Sequence, residues 1–298
     1  MPHRSPVTLV LAALTALAVA LTATSGASAA NTKRVVALSP FTANTVVSLG
    51  VIPKAYGVMP GSNDKYLAAL DKVPTLTLSH PNGPNMEQLA VLNPTLVLTS
   101  PQWSKGTKTM RQLGMQVVES DPQSVAAVPV QTRKIGKLIG KAAAAEKKAA
   151  QQDRAIKKAK SRVAGKAKPT VLLILGVGRT PYAFLRNSWG GDVVTQAGGA
   201  LLTGGLSNPG GFARISNEDV VKKDPDVIIA VPHGTTNAKD RQKLVDFLKT
   251  NEAWTGTKAV KSGRLVVWPD NSLLQAAPAP GAATVINKVQ QVLFPTSR

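Results

Sequence analysis

Cysteine is absent from all 298 residues. No disulfide can staple this chain and no N-terminal cysteine can carry a lipid, so stability has to come from packing. Aromatic residues make up only 4%, which argues against nucleic acid as a partner, because base-stacking platforms are built from Phe, Tyr or Trp. Acids are in the minority: 16 Asp and Glu stand against 36 Lys and Arg, a formal net charge of +20. Such a field draws polyanions in general, whether anionic cell-envelope polymer, a membrane surface or an acidic small ligand. Histidine occurs three times, at His3, His80 and His233. A long continuous apolar stretch occurs only near the N-terminus, where His3 and Arg4 precede VTLVLAALTALAVALTA and then SGASAA. That order reads as a signal peptide over residues 1–29, with Ala27-Ser28-Ala29 at the cleavage site. The run is also about long enough for an uncleaved anchor of roughly 20 residues, but its helix-poor end suits a peptidase better. The protein is therefore expected to be exported, extracellular or envelope-associated, and not lipidated.

What is present suffices for two ordinary domains, since the apolar fraction is 43% and the length supports a real core. RVVALS (34–39) is a continuous apolar run closed by Pro40, the pattern of a buried parallel strand, and a helix over Thr42 to Leu49 follows, stopped by Gly50. Similar runs recur at Thr95 to Thr99, Val117 to Glu119, Val171 to Leu175, Val227 to Val231 and Leu265 to Trp268. Strands alternating with helical patterns predict an α/β protein with parallel sheets. The middle differs in kind. No proline lies between Pro129 and Pro169, and the segment is rich in Ala, Lys and Gln, which predicts one long helix with a sparse apolar stripe. About 35 residues at 1.5 Å each span roughly 50 Å, more than the width of one lobe, so the helix should bridge two. Residues 133–168 carry 13 Lys and Arg against Glu146 and Asp153. A solvated helix face is the plain reading of that charge; a binding surface is the other. The expected organisation is a first lobe over 30–128, a linking helix over 129–168 and a second lobe over 169–298.

An internal repeat supports two lobes. Glu87 precedes Pro94 by seven residues and Pro101 by fourteen, with the strand LVLTS between the prolines; Glu218 precedes Pro225 and Pro232 at the same spacings, with VIIAV between them. Each copy is a helix entering a strand whose C-terminal tip carries a proline, and open α/β sheets place ligands beyond such tips. Gln102 and Trp103 follow the first tip, and His233 and Gly234 follow the second. Catalytic motifs are missing. Gly176-Val177-Gly178 has Pro181 where a dinucleotide loop needs its third glycine, and there is no P-loop, HExxH or nucleophile elbow. The chain is not expected to be an enzyme.

Taken in order, RVVALSPFTANTVVSLGVIPKAYGV, PNMEQLAVLNPTLVLTSP, SWGGDVVTQAGG, ISNEDVVKKDPDVIIAV and AVKSGRLVVWP resemble the substrate-binding proteins of bacterial ABC importers for iron-siderophores, heme and cobalamin. The resemblance implies two α/β lobes bridged by one long helix, a shallow cleft between them, small hinge motion, and a monomer that hands cargo to an ABC permease. VPHGTTNAKDRQKLVDFLKTNEAWTGTKAVKSGRLVVW looks most like the heme-binding receptors of Gram-positive heme uptake. Those place an axial histidine in a Pro-His-Gly at this strand end, which implies His233 as the principal iron ligand. Their methionine from the first lobe has no counterpart in Leu78-Ser79-His80-Pro81-Asn82-Gly83-Pro84, where His80 stands nearby as a second axial candidate. The resemblance also implies that Glu87 and Glu218 pair with arginines of the permease; placing acid at a helix N-terminus accounts for both on local grounds as well.

Heme iron takes axial imidazole, methionine or phenolate, its porphyrin takes apolar walls, and its propionates take cations. On that chemistry Tyr182 and Met59, each close to a strand end, are further ligand-binding candidates, although methionine more often fills a core. Trp103 would wall the macrocycle, and Arg179, Arg186 and Lys105 would hold propionates. The same fold could instead carry a ferric siderophore, held by Arg179, Arg186, Arg214, Trp103 and Trp189. A reading from another class makes the chain a cationic envelope-adhesion protein, in which the basic helix is the active feature.

Overall fold

RVVALS becomes β1 (Val35–Ala37), wholly buried, and Ser39 ends it by capping α1 (Pro40–Ser48). The Ser39 hydroxyl accepts the Thr42 N–H at 3.2 Å and the Thr42 hydroxyl accepts the Ser39 N–H at 3.1 Å, which satisfies two orphan donors of the first turn. This arrangement comes from a computed structural model that describes residues 33–62, 64–176, 181–203, 205–232, 238–268, 272–275, 277 and 281–295.

The first lobe continues with β2 (Ala55–Val58), β3 (Thr75–Ser79), β4 (Gly83–Pro84), α2 (Met86–Val91), β5 (Leu96–Thr99), α3 (Ser104–Gln112) and β6 (Val117–Glu119). Its sheet runs β4-β3-β2-β1-β5-β6, parallel except for β4. Residues of β1 alternate between two cores: Val35 joins Leu96 and Leu98 on one face, while Val36 joins Val97 on the other. That doubly buried pattern is why the strand reads as a continuous apolar run.

The second lobe holds its own sheet. After α4 (Ala127–Leu138) and α5 (Ala142–Ser161) come β7 (Thr170–Leu175), β8 (Tyr182–Phe184), α6 (Trp189–Gln196), β9 (Ala200–Leu201), β10 (Phe212–Arg214), α7 (Asn217–Lys223) and β11 (Val227–Val231). The chain closes with α8 (Ala238–Thr250), α9 (Glu252–Thr255), α10 (Lys258–Lys261), β12 (Leu265–Val267), α11 (Ser272–Gln275) and α12 (Ala282–Leu293). The sheet order is β10-β8-β7-β11-β12, with β9 also paired to β7. The two α/β lobes agree with the sequence. The sheets, however, are mixed rather than purely parallel: β4, β8 and β10 each run antiparallel to a neighbour. The links from β3 to β4 and from β7 to β8 are far shorter than the dozen or so residues a parallel crossover needs.

The repeat is visible in three dimensions. α2 leads to β5 beside β1, and α7 leads to β11 beside β7. Asn93 and Asp224 take the same left-handed backbone, φ 44° and 41°, each immediately before a proline that prevents the helix from continuing.

One expectation is corrected. The single helix over 129–168 is two helices, α4 and α5, broken around Ile139 to Lys141, where Gly140 has φ 71°. They fold back on each other as a hairpin: Arg133 on α4 pairs with both Glu146 and Asp153 on α5 at 2.8 and 3.0 Å. The left-handed glycine turns the chain, and the buried faces of Ile135, Ala145 and Ala149 then pack inward. The 20 residues of α5 span about 30 Å. A single buried cluster runs from Phe41 and Leu98 of the first lobe through Val128, Ile135 and Ile156 of the hairpin to Val171, Trp189 and Ile286 of the second.

Candidate functional site

Three adjacent parallel strands of the first lobe, β1, β5 and β6, end in Ser39-Pro40, Ser100-Pro101 and Ser120-Asp121-Pro122. Their tips converge on one carboxylate. Asp121 is 5% exposed and accepts the Ser39 hydroxyl at 2.9 Å, with the Ser100 hydroxyl also hydrogen-bonded to it. Burial pushes the carboxyl up from an ordinary 3.8 to about 6, the two serine hydroxyls work against that rise, and the charge of Asp64 adds to it. Tyr66 lies in the same electrostatic neighbourhood. Burial, then Asp64, Tyr56 and Asp121, raise its phenol well above the usual range, and its hydroxyl donates to the Gly57 carbonyl at 2.9 Å.

His80 follows β3 directly and is exposed. Its ring stands edge-on to Trp103 with centroids 6.2 Å apart. Trp103 itself is 4% exposed, and its indole N–H donates to the Leu38 carbonyl at 2.8 Å, so it forms a floor behind His80 rather than an open wall. The loop carrying His80 is pressed against α3: a side chain at Gly106 would strike the Asn82 carbonyl. Met59 and Met86 are partly buried against the same cluster as Leu89 and Met110, the gap-filling role methionine commonly takes. Lys105 and Gln102 are exposed beside Trp103 in the chain.

The second lobe offers a different pair. The β8 and β10 registers bring Tyr182 opposite Arg214, where the Arg214 Nε donates to the phenolic oxygen at 3.1 Å and the guanidinium lies 5.8 Å from the ring centroid. Tyr182 also pairs with Leu175 at the tip of β7, and the Gly176 N–H donates to the Val231 carbonyl at 2.9 Å. The tips of β7, β8, β10 and β11 therefore sit together, and buried Pro232 follows β11. Arg186 is exposed in the turn after β8, whereas Trp189 is 2% exposed with its indole N–H on the Leu273 carbonyl at 3.0 Å. His233 and Arg179 lie outside the described residues. The arrangement is thus two small clusters, one per lobe: an exposed imidazole over an indole edge, and a phenol bound to a guanidinium. A lone-pair nitrogen, a phenol and a cation suit an aromatic, anionic or metal-bearing ligand.

Sequence reading did not find the Asp121 cluster. Its signal was available in two serines, Ser39 and Ser100, each just before a strand-closing proline, and in Asp121 at the same place before Pro122. Glu87 and Glu218 are both exposed in the first turns of α2 and α7.

The fold agrees with comparisons to known proteins. Residues 35–272 match the model of the periplasmic binding protein family, and the chain belongs to that family. A cobalamin-binding protein of Halobacterium salinarum is 26% identical over 250 residues, covering 83% of this chain and 66% of that protein. The high-affinity heme uptake system protein IsdE of Staphylococcus aureus is 25% identical over 190 residues, 63% of this chain and 64% of that protein. The chain thus spans just under two thirds of the length of these relatives. Among solved structures, an ABC transporter substrate-binding protein of Listeria monocytogenes superposes with a TM-score of 0.78 at 23% identity, covering 89% of this chain and 99% of that one. IsdE complexed with heme gives 0.74 at 21% identity, covering 88% and 99%. At that identity the superpositions speak to the fold.

Proposed function

We propose that this protein is an extracytoplasmic substrate-binding protein of an ABC importer, that it performs no catalysis, and that its cargo is heme with His233 as axial ligand. The observation that supports the reading is the tip cluster of the second lobe: Tyr182 and Arg214 stand beside Leu175 and Gly176, next to the Pro232 that precedes His233. Neutral imidazole coordinates iron, the phenol offers a ring face or a phenolate, and Arg214 meets a propionate. His80, at the tip of β3, is the second axial candidate. Named relatives bind heme in one case and cobalamin in another.

Hemin titration of the protein followed by its Soret band tests the cargo. A sharpened band that is lost in His233→Ala is the expected result. An unchanged hemin spectrum, together with binding of cyanocobalamin or a ferric siderophore, overturns it. The siderophore reading draws on Arg214 and Arg186 as exposed cations near the second rim; in that case His233→Ala leaves binding intact.

Delivery to a permease uses Glu87 and Glu218. Each shares a short helix with an exposed valine about one turn on, Val91 at 85% and Val221 at 46% exposure, so each lobe offers a carboxylate beside an apolar spot. Reversing both glutamates to lysine is expected to abolish uptake while cargo affinity in solution stays the same. Normal uptake by that double variant removes the assignment.

A further inference from the structure

Pro169, Asp226 and Arg264 immediately precede β7, β11 and β12, and all three line an open groove of about 750 Å³ under the N-terminal ends of those strands. The Tyr182–Arg214 pair lies at the other end of the same sheet. Six residues of strand separate the two ends, roughly 17 Å. Other lining residues include Lys168, Lys258, Lys261 and Phe294.

The groove's acids are already engaged. The Asp226 carboxylate accepts both the N–H and the hydroxyl of Thr170 at 2.8 Å. Asp224, nearby, accepts the Lys258 N–H at 2.7 Å and pairs with its ammonium at 3.4 Å. Two of the lining cations are engaged as well: Lys258 with Asp224, and Arg264, which donates to the Val292 and Leu293 carbonyls at the end of α12. Lys166, outside the lining, sits 5.1 Å over the Phe294 ring. Lys168 and Lys261 are exposed and have no ion-pair partner among the described residues. The chain that leads into the groove strengthens the field: from Arg154 to Lys168 there are seven lysines and arginines and no acid. These residues form the second half of α5 and the turn after it, and Arg162 ties that end to Asn287 on α12 at 2.7 Å.

We infer that this groove and the basic segment entering it hold a linear phosphodiester polymer, independently of what the cleft carries. The layout selects the occupant. Exposed Arg154, Lys157, Lys158 and Lys160 lead along α5 to the exposed Lys168 and Lys261 of the groove, a line of cations that a flexible chain of singly charged phosphates can follow end to end. Association of this kind releases counterions from the polymer and weakens steeply with salt. Such a contact would keep an exported receptor near the cell while leaving the opposite strand tips open.

The test uses the full chain with polyglycerol phosphate as probe, titrated over a series of salt concentrations. Expected are a linear fall of log K with log salt, and roughly tenfold weaker binding with a slope reduced by about 2 in Lys168→Glu/Lys261→Glu. Hemin titration of that variant should match the parent. Lys134→Glu/Lys137→Glu makes the same charge change on α4, outside the groove, and should cost clearly less. Equal losses in the two variants overturn the site, as does equal binding of vesicles containing anionic phospholipid with the same loss on substitution. Amine-reactive labelling of the unmodified protein gives a check free of mutational damage: polymer should protect Lys168 and Lys261, and unprotected lysines there sink the inference.

Discussion

A carboxylate 5% exposed between two serine hydroxyls is a costly place for a charge. Asp121 carries a folded-state value of about 6 against an ordinary 3.8, so between those limits the folded chain holds a proton that the unfolded chain has released. Stability from this group is therefore fully present below about pH 4, falls as pH rises to about 6, and stays lowered above. Two units correspond to about 3 kcal/mol. Asp121→Asn keeps an acceptor for the serines and removes the charge. Urea unfolding at pH 4, 5, 6 and 7 should show the variant gaining on the parent as pH rises, by about 1 to 3 kcal/mol at pH 7. A constant difference across that range contradicts the assignment. The cluster was hard to see in sequence because Ser39, Ser100 and Asp121 meet only after three strands align, and each serine also serves a local purpose at a strand or helix end. Trp103 was hard for the opposite reason: it stands next to a strand tip, where ligands gather, yet its ring turns inward to the Leu38 carbonyl.

Between residues and the whole lie the elements, and one contact there governs the first-lobe candidate site. α3 approaches the loop after His80 so closely that Gly106 has no room for a methyl group facing Asn82. The obstacle is backbone rather than a flexible side chain, so Gly106→Ala has to move the helix or the loop. Expected are a loss of about 1 to 3 kcal/mol and a displaced His80, read as a shifted imidazole resonance in a histidine-selective NMR spectrum. An unshifted resonance in a fully stable variant means that the close approach does not position the ring. Elements whose apolar runs are buried on both faces, β1, β5, β7 and β11, were legible from the sequence because burial dictates composition. The break in the basic segment was not. Ala, Lys and Gln favour helix throughout, and Gly140 inside such a run reads as a tolerated weakness until hairpin packing supplies the reason for a turn. β8 (Tyr182-Ala183-Phe184) and β10 (Phe212-Ala213-Arg214) were missed because neither contains the β-branched residues that mark equally short strands such as β1 and β6.

At the scale of the whole molecule, each lobe keeps a core of its own on one face of its sheet, and on the other face the two share a single interior. Phe41 and Leu98, Ile135 and Ile156, and Val171 and Trp189 belong to one buried cluster. Polar ties run alongside it: Asp192 on α6 accepts the Val125 N–H at 2.7 Å, and Gln290 on α12 donates to the Ala159 carbonyl at 2.8 Å. Parting the lobes would wet this shared apolar surface, at about 25 cal/mol for every Å² exposed. Calorimetry is therefore expected to give one cooperative transition, with van't Hoff and calorimetric enthalpies in agreement. Two resolved transitions, one per lobe, are the contrary result. Among the described residues no helix is long and apolar enough to cross a membrane.

Under the import role proposed above, a common interior for both halves bears on how a loaded molecule is told from an empty one. If the halves barely move, silhouette carries almost no news of occupancy. A transporter downstream would then have to inspect the mouth directly, sensing the passenger itself, and receivers that grip only the outer flanks would dock vacant and laden copies alike.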